Sequence, residues 1–310
     1  MSRASIVGML VAAEILIVGM AIFAVRGSGA ALGAGMQGVD FTAAAQAPVS
    51  AGTAPHVVVD DANSRVHVGV SSDGLVHVRD LTQMRGAVFS TVRYPQLRVT
   101  RTADGVLVER PHGGALTVEI FGFSTQAIEV DVPSASRVEI AHCSGADVAA
   151  ITGGATVRSQ DGSIKLAGVQ GTIDAGSDDG SIYATDVSGE SVSLVTGDGR
   201  IEAKGLSVEG AHPQAKLHSD DGSVHVSGTF SPNGTYAMTT GDGSIELHVG
   251  SDADLAIDAS TNDGRIVVDG VRSGGDDSAS RSLRLGAGSS TMKLATSDGS
   301  IHIFTNGVSQ

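Results

Sequence analysis

Residues 173–203 read IDAGSDDGSIYATDVSGESVSLVTGDGRIEA and contain two copies of the pattern that decides the fold. Seven copies lie between Ala155 and Ile303, and each is centred on an Asp-Gly pair. Apolar or small residues stand six and four places before each aspartate, and apolar or small residues stand three and five places after it. Alternation with period two puts one set of side chains on one face of a strand. Each copy therefore predicts a strand, a tight turn and a second strand. The seven aspartates are Asp161, Asp179, Asp198, Asp221, Asp242, Asp263 and Asp298.

The spacing between copies distinguishes two architectures. Successive aspartates are 18, 19, 23, 21, 21 and 35 residues apart, which is the range of repeat proteins. One copy cannot bury its own apolar face, so stacked copies must share a core. We predict a β-solenoid of about seven turns with about two strands per turn. A meander of β-hairpins is the alternative, because Asp-Gly between alternating strands is also a strong hairpin signal.

A hydroxyl residue stands two places before every one of the seven aspartates. It shares the inward phase, so stacked turns would align Ser and Thr side chains at one corner, where they could pair with buried turn amides. A meander of independent hairpins would not require a hydroxyl residue at this position. The turn itself is attributed to glycine, which accepts positive φ, and to Asp, which can bond the backbone that follows it. The hydroxyl residues are Ser159, Ser177, Thr196, Ser219, Thr240, Thr261 and Thr296.

The remaining chain divides into an anchor, a linker and a β-rich module. Residues 6–25 are an apolar run long enough to span a bilayer and are interrupted by Glu14. We predict a membrane anchor at residues 1–26, with a cleaved signal peptide as the rival interpretation. Residues 27–55 are rich in Gly and Ala and predict a flexible linker. The positive charges of Arg3 and the N-terminal amino group favour the cytoplasmic side of the membrane. The rest of the chain would then lie outside the cytoplasm.

Residues 56–142 predict strands whose pattern differs from the repeat. The apolar residues around Asp73 and after Asp104 are out of phase with the seven copies. A one-residue slip exchanges the two faces of a strand. We therefore expect a separate β-rich capping module at 56–142, followed by the solenoid at 143–310. The 35-residue gap predicts a polar loop insertion at 270–290.

Composition limits the possible functions. The chain has 310 residues, a formal net charge of −14, 3% aromatic residues and no Trp. Nucleic-acid binding requires the opposite charge, so we exclude it. Cys143 is the single cysteine, so no internal disulfide can form, and we expect a buried, inert thiol.

Three segments resemble a known bacterial family. They are IEVDVPSASRVEI at 128–140, SGADV at 144–148, and the repeated Ser/Thr-x-Asp-Gly-Ser-Ile copies. Together they are similar to the putative adhesin domain family of unknown function, over roughly residues 56–303. The resemblance implies a β-helical fold and a bacterial cell-envelope setting, and it brings no catalytic residues.

No residue pattern predicts a catalytic, cofactor-binding or metal site. The turn aspartates could form a carboxylate row for calcium, most densely at Asp178-Asp179 and Asp220-Asp221, but turn chemistry alone accounts for them. His225 could lie between Glu202 and Glu246 on adjoining turns, where a solvated surface ion pair is the plain interpretation and weak zinc binding the alternative. The lysines that a polysaccharide-cleaving enzyme would need are scattered, at Lys165, Lys204 and Lys216.

The sequence therefore predicts a non-catalytic, membrane-anchored cell-envelope protein whose β-solenoid presents a surface to an unknown envelope or surface partner. Two alternatives stay open. One is an enzyme acting on a carbohydrate polymer, and the other is a self-associating envelope scaffold.

Overall fold

The computed structural model describes residues 37–42, 46–88, 96–111, 119–273 and 279–305. Every regular element in these residues is a β-strand. No helix among them is long and apolar enough to cross a membrane, and the predicted anchor at residues 6–25 lies outside the described residues.

Twenty-eight strands follow one another within the residues that the structure describes. The first eleven are β1 (Gln37–Thr42), β2 (His56–Asp60), β3 (Arg65–Val70), β4 (His77–Asp80), β5 (Gln83–Val88), β6 (Arg98–Arg101), β7 (Gly105–Glu109), β8 (Glu119–Thr125), β9 (Ala127–Val132), β10 (Arg137–His142) and β11 (Gly145–Ala149). The next eleven are β12 (Ala155–Ser159), β13 (Ile164–Ala167), β14 (Ile173–Ser177), β15 (Ile182–Thr185), β16 (Ser188–Gly189), β17 (Ser191–Thr196), β18 (Ile201–Val208), β19 (Gln214–Ser219), β20 (Val224–Phe230), β21 (Thr235–Thr240) and β22 (Ile245–Val249). The last six are β23 (Leu255–Thr261), β24 (Ile266–Val268), β25 (Val271–Ser273), β26 (Ala279–Leu285), β27 (Ser290–Thr296) and β28 (Ile301–Phe304).

Two long sheets are built from the two arms of each repeat. Sheet 1 has twelve strands in the order β26-β23-β27-β21-β19-β17-β14-β12-β10-β2-β7-β6, and sheet 2 has thirteen, including β25-β24-β28-β22-β20-β18-β15-β13-β11-β3-β9-β4. The strand before each Asp-Gly turn lies in sheet 1 and the strand after it in sheet 2, so each repeat is one rung. Neighbouring rungs pair in parallel, as β14 with β17 and β15 with β18. A meander would pair the two arms of one turn antiparallel, so this alternative is wrong and the solenoid-like stack is confirmed.

The inward side chains of both sheets form one continuous hydrophobic core. Leu194, Leu217 and Ile245, from three successive rungs, are fully buried. Val, Ile, Leu and Ala from each rung lie on the equivalent residues of the next, as the register pairs Leu194–Leu217 and Ile201–Val224 show. The thin core explains the low aromatic content, because the space between the two arms suits small branched side chains.

The seven hydroxyl residues form a buried ladder at one corner of the stack, as the sequence predicts. All are at most 6% exposed. In the central rungs the hydroxyl accepts a hydrogen bond from the turn glycine of its own rung and donates to the glycine carbonyl of the neighbouring rung. For Ser219 these partners are the amide of Gly222 at 2.8 Å and the carbonyl of Gly199 at 2.8 Å. The ladder therefore links adjacent rungs through groups that would otherwise be buried without partners.

The glycine of each repeat turn is required for a different reason from the one predicted. None of these seven glycines has positive φ. A Cβ at Gly222 would lie 1.9 Å from the carbonyl oxygen of Gly199, and one at Gly243 would lie 2.1 Å from that of Gly222. The turn needs glycine because the backbone of the next rung packs directly against it. The prediction that the turns use positive φ is therefore wrong for the repeat, although Gly74 does have a φ of 74°.

Most strands of residues 56–142 join the same two sheets as the repeats; β5 and β8 do not. Strands β2, β7 and β10 lie in sheet 1, strands β3 and β9 lie in sheet 2, and their inward valines belong to the common core. The boundary expected between residues 142 and 143 does not interrupt either sheet. The phase shift around Asp73 arises because the turn between β2 and β3 is at Asp61 to Ser64, not at Asp73-Gly74.

The order of rungs differs from the order of the sequence at both ends. Strands β27 and β28 lie between β21/β22 and β23/β24, and strands β2 and β3 lie between β10/β11 and β7/β9. Antiparallel strands then complete each end, namely β6 and β4 at one end and β26 and β25 at the other. Most of the predicted loop at 270–290 is therefore strand: β25 and β26 form the edge of the stack, and residues 274–278 lie outside the described residues.

A buried ionic cluster holds the end of the stack that contains β4 and β7. The guanidinium of Arg110 donates to Asp61 at 2.6 Å and to Asp80 at 3.0 Å, and the three residues are 7%, 3% and 7% exposed. Arg110 and the Thr82 amide hold the pKa of Asp80 below its usual range against the effect of burial. The cluster joins the turn after β2, the end of β4 and the end of β7.

A second compact unit is formed by Met1–Thr42, Gln83–Tyr94 and Gly113–Ser124. Its described part is a three-stranded sheet in the order β1-β5-β8, in which β1 and β5 are antiparallel.

Candidate functional site

The outer face of sheet 2 carries a continuous column of charged and polar side chains, one from each of nine neighbouring strands. We call it the acid–base column. Successive strands are about 4.8 Å apart in a sheet, so charges on neighbouring rungs interact directly. Acids and bases alternate along the column except at Tyr183, which keeps like charges at least two rungs apart. Its members in spatial order are Glu129, His67, Asp147, Lys165, Tyr183, Glu202, His225, Glu246 and His302.

One half of the column surrounds Glu246 with histidines. His225 and His302 are its register partners on the two neighbouring strands. His248, from the same strand, approaches the Glu246 carboxylate with its Nε2 2.7 Å from Oε1. This hydrogen bond is the largest of the effects that lower the pKa of Glu246, and the three histidines add to it. These contacts therefore favour the ionised form of the Glu246 carboxylate.

Glu202 continues this half of the column. The Lys204 ammonium forms an ion pair with its carboxylate, and this contact lowers the pKa of Glu202. A shallow depression of about 180 Å³ lies between the two glutamates. Its polar lining is Glu202, Lys204, His225, Ser227, Glu246 and His248. The predicted placement of His225 between Glu202 and Glu246 is therefore confirmed.

The other half of the column has a second depression, of about 370 Å³, whose floor is made of Gly69, Ala149 and Ala167. Asp147 lies at its side, and its two carboxylate oxygens accept from the guanidinium of Arg65 at 2.9 and 3.0 Å. The Nδ1 atom of His67 also lies 2.9 Å from the Oδ2 atom of Asp147. The hydrogen bonds to Asp147 raise the pKa of Arg65.

Two aromatic side chains reach the surface on this same face. Tyr183 is 37% exposed and lies between the two depressions along the column. Phe304 stacks on the imidazole of His248, with ring centroids 4.4 Å apart and an interplanar angle of 13°. Aromatic rings at a surface provide contact area for a partner, and the hydroxyl of Tyr183 keeps a polar edge in water. The face therefore combines charge pairs, shallow relief and aromatic contacts.

The outer face of sheet 1 is different. Its central rungs carry mainly small neutral side chains, such as Ser193, Thr239 and Ala295. A groove of about 620 Å³ lies nearer β12, where the Arg158 guanidinium pairs with Asp174. The three scattered lysines do not meet: Lys165 and Lys204 lie on sheet 2, and Lys216 lies on sheet 1.

The turn aspartates form an exposed row at the corner of the stack. Stacking brings their carboxylates onto successive rungs. Within the described ranges, no group of three or more His, Cys, Asp or Glu side chains is arranged to hold a metal ion. The calcium and zinc alternatives therefore receive no support from the geometry. The row does concentrate like charge, which accounts for part of the acidity of the chain.

Cys143 is buried in the core, at 1% exposed. Its Sγ lies 3.3 Å from the carbonyl oxygen of Arg158. Burial raises the pKa of the thiol, so the thiolate is disfavoured and the side chain packs as a small apolar group.

The sequence did not indicate the Arg110 cluster or the surface aromatics. Arg110, Asp61 and Asp80 are far apart in the chain and belong to no repeat, so no local pattern marks them. Tyr183 and Phe304 could have been found by following the outward phase of the repeats, because both occupy outward positions after an Asp-Gly turn.

Fold and surface together define the class: a parallel β-solenoid domain with one patterned outer face. The family model of Toastrack DUF4097 matches residues 95–304, so the chain belongs to this family. The match confirms the resemblance to the adhesin-like domains of unknown function. No curated protein matches the chain at a significant level.

Three solved structures are similar to this chain. A putative adhesin from Bacteroides fragilis NCTC 9343 has 13% identity and a TM-score of 0.44, with 85% of this chain and 97% of that chain covered. A putative adhesin from Parabacteroides merdae ATCC 43184 has 9% identity and a TM-score of 0.39, with 84% and 96% covered. A putative cell adhesion protein from Clostridium sporogenes ATCC 15579 has 8% identity and a TM-score of 0.27, with 85% and 100% covered.

Proposed function

We propose that this chain is a non-catalytic cell-envelope protein that contacts a partner through the outer face of sheet 2. The acid–base column carries the proposal. It runs across most rungs of the stack and is flanked by two shallow depressions and two surface aromatic rings. Such a face fits an extended partner surface of mixed charge better than a small molecule, which favours an enclosed pocket.

The chemistry of the face supports binding rather than catalysis. A general base needs a carboxylate or imidazole free to take a proton from the substrate. Asp147 is held by Arg65, Glu202 by Lys204, and Glu246 by His248. Glu129 and Asp131, which also line the second depression, pair with Arg79. Each carboxylate of the two depressions is thus already paired, and the depressions are open to solvent.

The edge strands of sheet 1 argue against an open-ended scaffold. Arg98 and Arg101 lie on β6 at one edge, and Arg281 and Arg284 lie on β26 at the other. Stacking one copy on the next would bring these like charges together. Charged residues on edge strands are a common means of preventing such pairing.

The proposal includes the location of the domain. Residues 6–25 would anchor the chain in the membrane, and the acidic β region would lie outside the cytoplasm. Digestion of intact cells with an external protease tests this orientation. Loss of the β region while a cytoplasmic marker survives is the expected result, and full protection of the β region would contradict it.

Binding through this face is tested by cosedimentation of the chain with isolated cell-envelope material. Tyr183→Ala is expected to reduce affinity about tenfold or more, the effect of losing roughly 1.4 kcal/mol of contact energy. Lys216→Ala, on the outer face of sheet 1, is the control and should bind as the parent does. Equal binding by Tyr183→Ala, Phe304→Ala and the parent would contradict the proposal.

A further inference from the structure

The last rung of the chain lies inside the stack rather than at its end. Strands β27 and β28 separate β21 and β22 on one side from β23 and β24 on the other. These flanking strands come earlier in the sequence and do not pair with each other. Without the last rung they would face each other across a gap one rung wide.

This rung makes a full set of interactions on both sides. In sheet 1, β27 has six register pairs with β21 and seven with β23. In sheet 2, β28 has four pairs with β22 and three with β24. The rung buries Met292, Leu294, Ile301 and Ile303, and Thr296 continues the hydroxyl ladder by donating to the Gly243 carbonyl at 2.8 Å.

A carboxylate holds the rung at its entry. Asp254, just before β23, accepts hydrogen bonds from the amides of Gly288 and Ser289 and from the Ser289 hydroxyl. The hydroxyl of Ser290 then donates to the Ser231 carbonyl at 2.9 Å. These contacts fix the point at which the chain turns into the gap.

A second carboxylate holds the rung at its exit. Asp269 follows β24, and its carboxylate accepts from the amide of Thr305 at 2.8 Å and from the Thr305 hydroxyl at 2.6 Å. We call Asp254 and Asp269 the two clips. Both belong to the flanking rung, but Asp269 contacts the last rung itself, whereas Asp254 contacts Gly288 and Ser289 just before it.

A short connection leads to the rung from β26. Residues 286–289 pass across the beginning of β23, because β26 and β27 lie on opposite sides of that strand. Gly286 and Gly288 both have left-handed backbone, with φ of 60° and 69°. Short connections under conformational constraint favour exchange of the element they carry between identical chains.

We propose that residues 290–305 form an exchangeable rung, which a second copy of this chain can supply to the gap between β21/β22 and β23/β24. The exchanged segment has the same sequence, so it makes the same register pairs, the same core contacts and the same contacts of Thr305 with Asp269. Only the connection at 286–289 changes course. Reciprocal exchange produces a closed two-fold dimer, and the arginine-bearing edge strands of sheet 1 remain unpaired by other copies.

Cysteine cross-linking distinguishes exchange from the ordinary monomer. Thr235 on β21 and Thr291 on β27 are exposed register partners, with backbone spacing suited to a disulfide. Full chains carrying only Thr235→Cys are refolded together with full chains of different size carrying only Thr291→Cys, and are then oxidised. Exchange places the two new cysteines side by side and produces a covalent heterodimer on non-reducing gels.

An internal rung is the matched control. Gln214 and Thr235 are register partners on β19 and β21, whose rungs follow one another in the sequence. Chains carrying Gln214→Cys mixed with chains carrying Thr235→Cys should give no heterodimer. The variant Asp254→Asn should raise the Thr235/Thr291 heterodimer several-fold, because it weakens contacts to Gly288 and Ser289 that exist only while the connection keeps its course within one chain.

Two results would overturn the proposal. The first is absence of the Thr235/Thr291 heterodimer in both backgrounds while one chain carrying both cysteines forms the internal disulfide, since the geometry would then be sound and exchange absent. The second is equal heterodimer yield in the Gln214/Thr235 control, because cross-linking would then reflect random collision.

Discussion

Replacement of Thr196 by valine tests whether the buried hydroxyl ladder stabilises the stack. Thr196 is 1% exposed. Its hydroxyl donates to the carbonyl of Gly180 on the neighbouring rung at 2.8 Å and accepts from the amide of Gly199 in its own turn at 3.3 Å. Valine keeps the shape of the side chain and the methyl contacts but removes both hydrogen bonds.

The expected cost follows from the two groups left behind. Gly180 and Gly199 are both buried, and a buried polar group without its partner costs about 1–3 kcal/mol. The 3.3 Å contact is the weaker of the two, so the total loss should be about 2–4 kcal/mol in the free energy of unfolding. For a domain of this size, each kcal/mol lowers the melting temperature by roughly 2–4 °C. The variant should therefore melt about 4–16 °C below the parent.

Thr185→Val is the matched control for this experiment. Thr185 is exposed on β15, in the neighbouring sheet, so the same substitution should change stability by no more than about 0.5 kcal/mol. Circular dichroism during thermal and urea unfolding measures both variants. Equal effects of the two substitutions, or no loss in Thr196→Val, would refute the role assigned to the ladder.

Three further predictions concern other parts of the stack. Gly222→Ala would put a Cβ 1.9 Å from the carbonyl oxygen of Gly199, so overpacking should cost about 1–3 kcal/mol or more in urea unfolding, and an unchanged midpoint would contradict the close-packing account. Arg110→Met leaves Asp61 and Asp80 buried without their cation, so it should lower the free energy of unfolding by about 3–5 kcal/mol. Urea unfolding measures this loss, and a loss below about 1 kcal/mol would contradict the role of the cluster. The hydroxyl and the amide of Thr305 lower the pKa of Asp269. The stabilising contribution of Asp269 is therefore present above the unfolded pKa of about 3.9, and it is lost as the pH falls through the lower folded pKa. Asp269→Asn should therefore reduce the loss of stability between about pH 4 and pH 2, and identical pH profiles for variant and parent would oppose this.

Part of the candidate site could be predicted from the sequence. The repeat places His225 between Glu202 and Glu246, because equivalent positions of stacked copies become neighbours. The continuation of the column to Asp147 and His67 could not be predicted. His67 lies near an Asp-Gly pair that is out of phase with the repeat, and no Asp-Gly pair precedes the strand of Asp147, so no pattern shows which strand pairs with which.

The sequence by itself determined the rung: two alternating strands, a close turn, an inward hydroxyl and an outward polar set. These features depend on residues within about ten positions of one another, so each copy of the repeat encodes them fully. The tertiary structure decided the order of the rungs, the insertion of β27 and β28, the buried Arg110 cluster and the reason for glycine in the turns. The physical reason is that the inward side chains of one copy pack equally well against those of several others. Stacking order is therefore set by connections and end contacts between distant residues, which no local pattern contains.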